Sequence, residues 1–221
     1  MPNGTAYRNW MMFLCASVTA VFVWSFVGCH DVFTWSLEAA PGVIGIAALI
    51  ALYPRFRFTE LVYTAIAAQA IILFIGGHYT YAEMPLFNWI RDHYHLSRNY
   101  YDRLGHFAQG FVPALIAREV LLRKTPLRRG KLLAFLVLCI CMAISAWYEL
   151  FEFAVAKMTG TAADAFLGSQ GDPWDTQWDM MFCFIGATCA LLFMTRLHDR
   201  FLARLPAAEM QPDRPAAITL N

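Results

Sequence analysis

Long runs of apolar residues, broken by short polar or charged segments, make up the dominant pattern along this chain. Six runs approach the length of a membrane span, over residues 9–28, 38–53, 61–81, 104–122, 132–156 and 174–197. A hydrocarbon core of about 30 Å takes roughly 20 helical residues. The pattern therefore predicts an all-α, polytopic transmembrane helical bundle of six spans, forming a single domain over residues 1–205. The second run is the shortest and meets Pro41 and Gly42 near its start. The fourth contains Gly105, Gly110 and Pro113, which predict a kink or close helix packing. Residues 206–221 mix Pro, Ala and polar residues and predict a disordered cytoplasmic tail. No internal repeat or low-complexity tract is evident.

Composition agrees with the pattern. Hydrophobic residues make up 59% of the 221 positions and charged residues only 15%, and mean hydropathy is +0.46. That is the composition of a membrane protein. A net charge of +1 gives no reason to expect a nucleic-acid partner. Lysine and arginine are unevenly shared between alternate loops, and positive loops are retained in the cytoplasm. With both termini inside, thirteen of the 17 basic residues lie on the inner side, and only Arg91, Arg98, Arg103 and Lys157 lie outside. The chain is expected in a membrane, with the lipid bilayer as its main partner. Phe26-Val27-Gly28-Cys29 faintly resembles a lipoprotein cleavage site. The long apolar stretch before it, the single preceding arginine and the Phe at the first position argue for a retained span. Five of the six cysteines fall inside apolar runs, and none has metal-ligand spacing, so neither a disulfide scaffold nor a thiolate site is expected.

Depth then sorts the polar residues. Glu83, Asp102, His106, Glu149, Glu152, Asp172, Asp175 and Asp179 all fall at or just inside the outer ends of spans three to six. In YDRLGHFAQGF, Asp102, His106 and Gln109 share one helix face. WYELFEF places Glu149 and Glu152 three residues apart, and GSQGDPWDTQWDM spaces Asp172, Asp175 and Asp179 at i, i+3, i+7. Ionisable groups inside a span cost about 2.5–3.5 kcal/mol each at its centre. Clustered acids repel one another unless they are protonated or share a cation. Arg91, Arg103, His106 and Lys157 are the organic cations at hand, and a metal ion is the alternative.

Ordinary structural roles compete with this reading. Asp172 before Pro173 suits an N-cap, and Asp175 suits the first helical turn. Asp179 lies deeper and could pair with Arg103 or Lys157. Asp102 could cap its own helix, His106 could be a hydrogen-bonded core residue, and Glu149 and Glu152 could face interfacial water. Residues 79–101 are rich in Tyr, Trp and His, and predict a re-entrant or surface-lying cover. Within that cover His93 and His95 are possible ligands, and His78 and Gln69 are further candidates for the bundle interior. The basic hairpin RKTPLRRGK, 123–131, is explained by topology retention and attraction to anionic headgroups.

At YDRLGHFAQGFVPALIAREVLLR, WYELFEF and GSQGDPWDTQWDM the chain resembles the YjdF-like family of bacterial inner-membrane proteins, from about span two through span six. The resemblance implies a polytopic inner-membrane protein and supplies no reaction. More loosely, the same order of polar helices resembles the VanZ-like membrane proteins. This chain has Glu152 and Asp179 where that pattern has amides, so its site is expected to be the more acidic.

Three functions compete. The first is a membrane enzyme with an outward-facing metal centre of Asp102, His106, Glu149, Glu152, Asp175 and Asp179. Asp102, His106, Glu149, Glu152 and Asp179 are its candidate catalytic residues. Oxygen ligands with one imidazole suit a divalent Mg, Mn, Zn or Fe ion, and the substrate would be lipid-linked or a small periplasmic molecule. The second is a transporter for cations, protons or a small solute. Against it stand the nearly apolar inner halves of spans five and six and the lack of an inverted repeat. The third is a noncatalytic assembly or sensor protein, for which so many acids are poor glue.

Overall fold

In hydrocarbon an unpaired backbone N–H or C=O costs several kcal/mol, so each apolar run folds as a continuous helix that bonds its own backbone. The structure, a computed structural model, describes residues 4–160, 164–206 and 209. Its helices are α1 (Gly4–Phe26), α2 (Val32–Leu52), α3 (Glu60–Tyr79), α4 (Pro85–His93), α5 (Tyr101–Lys124), α6 (Lys131–Thr159), α7 (Asp164–Leu167) and α8 (Asp175–Leu202). A single 3-10 turn, Tyr81–Glu83, leads into α4, and α8 contains a π-helical turn, Ala190–Met194. No strand occurs among the described residues. Five helices, α1, α2, α3, α6 and α8, are long and apolar enough to cross a membrane. The fourth expected span, α5, has 24 residues but is more polar than these.

The second span begins six residues earlier than its hydropathy predicts. Asp31 caps it, accepting the Thr34 N–H at 2.7 Å. That bond holds the Asp31 carboxyl below the usual carboxylate range. Pro41 is absorbed inside the helix, where it removes one backbone bond. Gly42 lets α2 close on α3: a Cβ there would lie 3.0 Å from the Phe74 ring.

Helix α5 lies at the centre, with 15 of its 24 residues buried, and α3, α6 and α8 pack around it. Helices α1 and α2 pack against α3. Helices α5 and α8 run parallel. They meet at one end through Arg103 and Asp179 and at the other through Glu119 and His198. The Arg103–Asp179 end is the upper end of the bundle and the Glu119–His198 end the lower. Along α5, His106 and Glu119 are 13 residues apart, or about 20 Å at 1.5 Å per residue.

Between the two ends the backbones of α5 and α8 touch. A Cβ on Gly110 would sit 1.8 Å from the Cys183 carbonyl oxygen, and one on Gly186 would sit 2.0 Å from that of Phe107. Of the two alternatives that Gly110 and Pro113 raise, the structure has close packing, and α5 continues through Pro113. Cys141 of α6 completes the contact. Its thiol lies 3.6 Å from the Gly110 carbonyl, and the Cys183 thiol lies 3.6 Å from the Cys141 carbonyl. All six cysteines are free thiols.

The polar stretch 79–101 forms a surface-lying cover over the upper end. Phe87 of α4 packs edge-on against Tyr101 at 5.3 Å, while Leu86 and Trp89 remain exposed. The Tyr81 ring wedges between Gly76 of α3 and Gly105 of α5. The expected disordered tail, 206–221, lies outside the described residues apart from Pro206 and Glu209, and Glu209 pairs with Arg123 at 3.1 Å.

The glycine contact yields a stability test. Gly110→Ala or Gly186→Ala should destabilise the bundle by about 1–3 kcal/mol, the usual cost of overpacking, read as a lower unfolding midpoint in detergent. Gly45→Ala, with nothing within 4 Å of its Cβ position, should leave the midpoint unchanged or raise it.

Candidate functional site

The upper site is built on the start of α5. Asn99 sets that start, its side-chain oxygen accepting the Tyr101 N–H at 3.0 Å. Gln170 clasps the Asn99 backbone with two bonds of 2.9 Å, fastening this turn to the loop before α8. Three successive polar side chains, Asp102, Arg103 and His106, are thereby aimed at the start of α8 and the C-terminal half of α6.

Two guanidiniums organise one half of the cluster. Arg103 is bonded to Asp179, reaches Asp175 at 2.5 Å and Asp102 at 3.2 Å, and lies 3.6 Å from Asp172. Arg98 is bonded to Asp175 at 2.7 Å and to the Gly168 carbonyl at 2.9 Å, with Asp172 at 3.5 Å and Asp102 at 3.7 Å. A guanidinium presents five donors in a planar fork, which suits it to bridging several carboxylates.

The other half lacks such partners. The His106 ring places Nε2 3.5 Å from both Asp102 and Asp179, and Nδ1 3.9 Å from Glu149. Glu149 is 7% exposed, and neither of its oxygens has a hydrogen bond; His106 Nδ1 has none either. Ser145, Glu149 and Glu152 are all buried at i, i+4, i+7 on one face of α6, and the Ser145 hydroxyl is also unpartnered. Six carboxyls, those of Asp102, Glu149, Glu152, Asp172, Asp175 and Asp179, thus share two guanidiniums and one imidazole. One oxygen each from Asp102 and Asp179 and one nitrogen of His106 lie within 4.8 Å of one another, a separation that a single metal ion could span.

Several expectations need correcting. Helix α8 starts at Asp175 rather than after an Asp172 cap; Asp172 instead accepts the Trp174 N–H in the preceding turn at 2.9 Å. Asp175 does lie in the first turn of that helix, as expected, and also belongs to the ion network, because two arginines reach it. Asp102 does not cap α5: it lies within the first turn, the N-cap position is Tyr100, and Asn99 accepts the Tyr101 N–H. Asp179 has Arg103 as its partner. Lys157, by contrast, lies over the Phe153 ring, and Arg91 pairs with Asp92. Glu83 is exposed and bonded to Asn88. His93 stacks on Trp89 and, like His95, is exposed, so neither joins the site. His78 bonds to the Ser25 carbonyl at 3.1 Å, and Gln69 and Gln109 are half-buried outside the cluster.

Hydropathy reading missed several residues. Arg98 was counted only as an outer charge. Glu38 is 2% exposed at the upper end, with one oxygen accepting the Tyr81 N–H and the other unpartnered. Recognising Asp31 as a cap would have moved Glu38 from a helix start into a buried turn.

The lower end holds a second polar centre. Glu119 is 0% exposed and fully bonded. It accepts from the Thr59 backbone at 3.0 Å and hydroxyl at 2.7 Å and from Arg123 at 2.7 Å, with His198 at 3.0 Å. Arg118 and Arg129 both reach one oxygen of Asp199, at 2.6 and 3.0 Å. The inner halves expected to be nearly apolar, in α6 and α8, contribute none of these groups; the polar residues come from α5, from Thr59 and Arg129, and from His198 and Asp199, just past the expected end of the sixth span. Glu119 sits among arginines in IAREVLLR, where an acid reads as an interfacial residue, and its partners come from distant helices.

A central, polar α5 wrapped by apolar helices, with carboxylates converging on its first turn, is also what the sequence comparisons cover. The family model described as "Predicted membrane protein (DUF2238)" matches residues 10–200. The chain belongs to this family. It is 46% identical over 188 residues to Inner membrane protein YjdF of Escherichia coli (strain K12), spanning 85% of this chain and 90% of that one. No solved structure matches. Family and fold together make the chain a multi-pass membrane protein, and every residue of the upper and lower centres except Glu209 falls within the matched region.

Removing one partner of a buried ion pair strands the other charge and costs about 3–5 kcal/mol. Arg103→Gln should therefore lower stability by an amount of that order in a detergent unfolding titration. Asp179→Asn in the same background should recover part of the loss, because it removes one of the stranded carboxylates.

Proposed function

We propose that this chain is an inner-membrane enzyme whose outward-facing upper centre takes up a divalent cation and acts on a lipid-linked or small periplasmic substrate. The lysine and arginine asymmetry puts the upper end outside, and the relative named above is an inner-membrane protein. The observation that carries the reading is the convergence of Asp102, His106 and Asp179 ligand atoms within 4.8 Å, beside a buried Glu149 carboxyl whose oxygens have no hydrogen bond. Carboxylate and imidazole donors suit Mg, Mn, Zn or Fe.

The residues accommodate such an ion without losing the arginines. Arg103 contacts Asp175 as well as Asp179, so it keeps a carboxylate partner when Asp179 turns to a metal. A divalent ion supplies Lewis acidity and a nucleophilic hydroxide near neutral pH. Glu149, 3.9 Å from His106 and unpartnered, is placed to accept a proton as general base. Glu152, one turn further along the same face, is a further buried carboxyl beside this group. Arg98 holds the loop before α8 to the start of α5 and so keeps the ligand-bearing helices in register.

A transport reading draws on the second polar centre at the lower end. Between the two centres, however, Gly110, Gly186, Cys141, Cys183 and Ala187 close the helix contact, and the last three are 0% exposed. That dry contact favours a one-sided site.

The test is metal analysis of protein purified in mild detergent. Stoichiometric divalent metal in the parent, lost in His106→Ala and Asp179→Asn but kept in Glu149→Gln, is the expected result. Equal and negligible metal in all four proteins overturns the proposal.

A further inference from the structure

At the lower end, the starts and ends of three helices enclose a cavity of about 260 Å³, lined by Arg118 of α5, Gly130 and Leu133 at the start of α6, Thr195 and Asp199 of α8, and Arg129. Arg118 is 2% exposed. One terminal nitrogen, Nη2, is bonded to Asp199 at 2.6 Å, and the other, Nη1, is buried with no acceptor. A buried guanidinium N–H without an acceptor is costly, because its hydration has been removed and nothing replaces it.

The same wall contains the N-terminus of the 29-residue helix α6. Its N-cap is Gly130, which offers no side-chain oxygen, so no side chain caps the helix. The first N–H groups of a helix have no intrahelical partner, and together with the macrodipole they favour an anion. Arg129 adds a second guanidinium, 54% exposed at the cavity rim and 3.0 Å from Asp199. Asp199 uses a single oxygen, Oδ1, for both arginines, and so holds the two forks side by side.

We infer that this cavity is a binding site for a phosphate group, held by Arg118, Arg129 and the amides at the start of α6. Arginine forks and helix N-termini are two recurring means of holding phosphate. Two arginines against one aspartate leave the walls positive. The volume is below the roughly 300–1,000 Å³ of sites for drug-sized molecules, which suits a phosphate with its ester oxygen rather than a whole lipid. The lysine and arginine asymmetry puts this end in the cytoplasm, where the phosphate could come from an anionic phospholipid headgroup or from free phosphate. This site is separate from the upper centre and does not depend on a metal there.

The experiment measures unfolding midpoints of full-length protein in two arms. In one arm, millimolar inorganic phosphate is compared with chloride at matched ionic strength in detergent. In the other, nanodiscs containing phosphatidylglycerol are compared with phosphatidylcholine nanodiscs. A rise of about 2–4 °C in the parent is expected in at least one arm. A rise with inorganic phosphate supports a site open to free phosphate, and a rise only with phosphatidylglycerol supports a headgroup site. The rise should disappear in Arg129→Gln, a substitution at an exposed side chain that leaves the core intact. It should grow in Asp199→Asn, where the competing carboxylate is gone; a purely structural role for the ion pairs gives no such gain. No rise in either arm, a rise that survives Arg129→Gln, or a smaller rise in Asp199→Asn overturns the inference.

Discussion

Burying ionised groups in the helix at the middle of the bundle constrains everything else in this protein. Asp102, Arg103, His106, Arg118, Glu119 and Arg123 are all buried on α5. None can be left bare in a low-dielectric interior, because desolvation of an unpaired charge costs more than a typical helix contact returns. Each therefore dictates where another helix must go. Arg103 fixes the start of α8, Glu119 fixes both the end of α8 and the start of α3, and His106 turns toward α6. The glycines at 110 and 186 then allow the α5 and α8 backbones to approach closely enough for pairing at both ends.

The two ends solve the same problem differently. At the lower end Glu119 has four bonds from three residues, Thr59 and His198 on two other segments and Arg123 on its own helix, and its carboxylate is satisfied. At the upper end the arginines satisfy the α8 acids but leave Glu149 and one nitrogen of His106 without acceptors or donors. An interior usually meets all of its buried hydrogen-bonding capacity, and the proposed metal and proton roles are read from the part that is unmet here. The lower arginine cavity carries the same signature with the opposite charge.

Much of this was legible from sequence, for physical reasons. Runs of apolar residues at bilayer length report helices directly, and all six long helices overlap their expected spans. The convergence of Asp102, His106, Glu149 and Asp179 was readable from depth and helical spacing, since residues that share a face and a level tend to meet. Partner identity was not readable. That Arg103 rather than Lys157 meets Asp179 depends on how α5 rotates against α8, and hydropathy carries no information about rotation. Glu119 and Glu38 escaped for a related reason. A single acid near a helix end looks interfacial until its distant partners, Thr59 and His198 or Tyr81, are in place.

The position of α5 in the chain has a consequence for how the protein is made. Its charges emerge from the ribosome well before their partners: Asp179 follows Arg103 by 76 residues, and Asp199 follows Arg118 by 81. At about 5–20 residues per second, Arg103 and Arg118 wait roughly 4–16 s for their partners on α8. A segment this polar partitions poorly into lipid alone. Full pairing of its charges is therefore tied to the arrival of α8, and truncation anywhere before Asp175 leaves Arg103 without its partners on that helix.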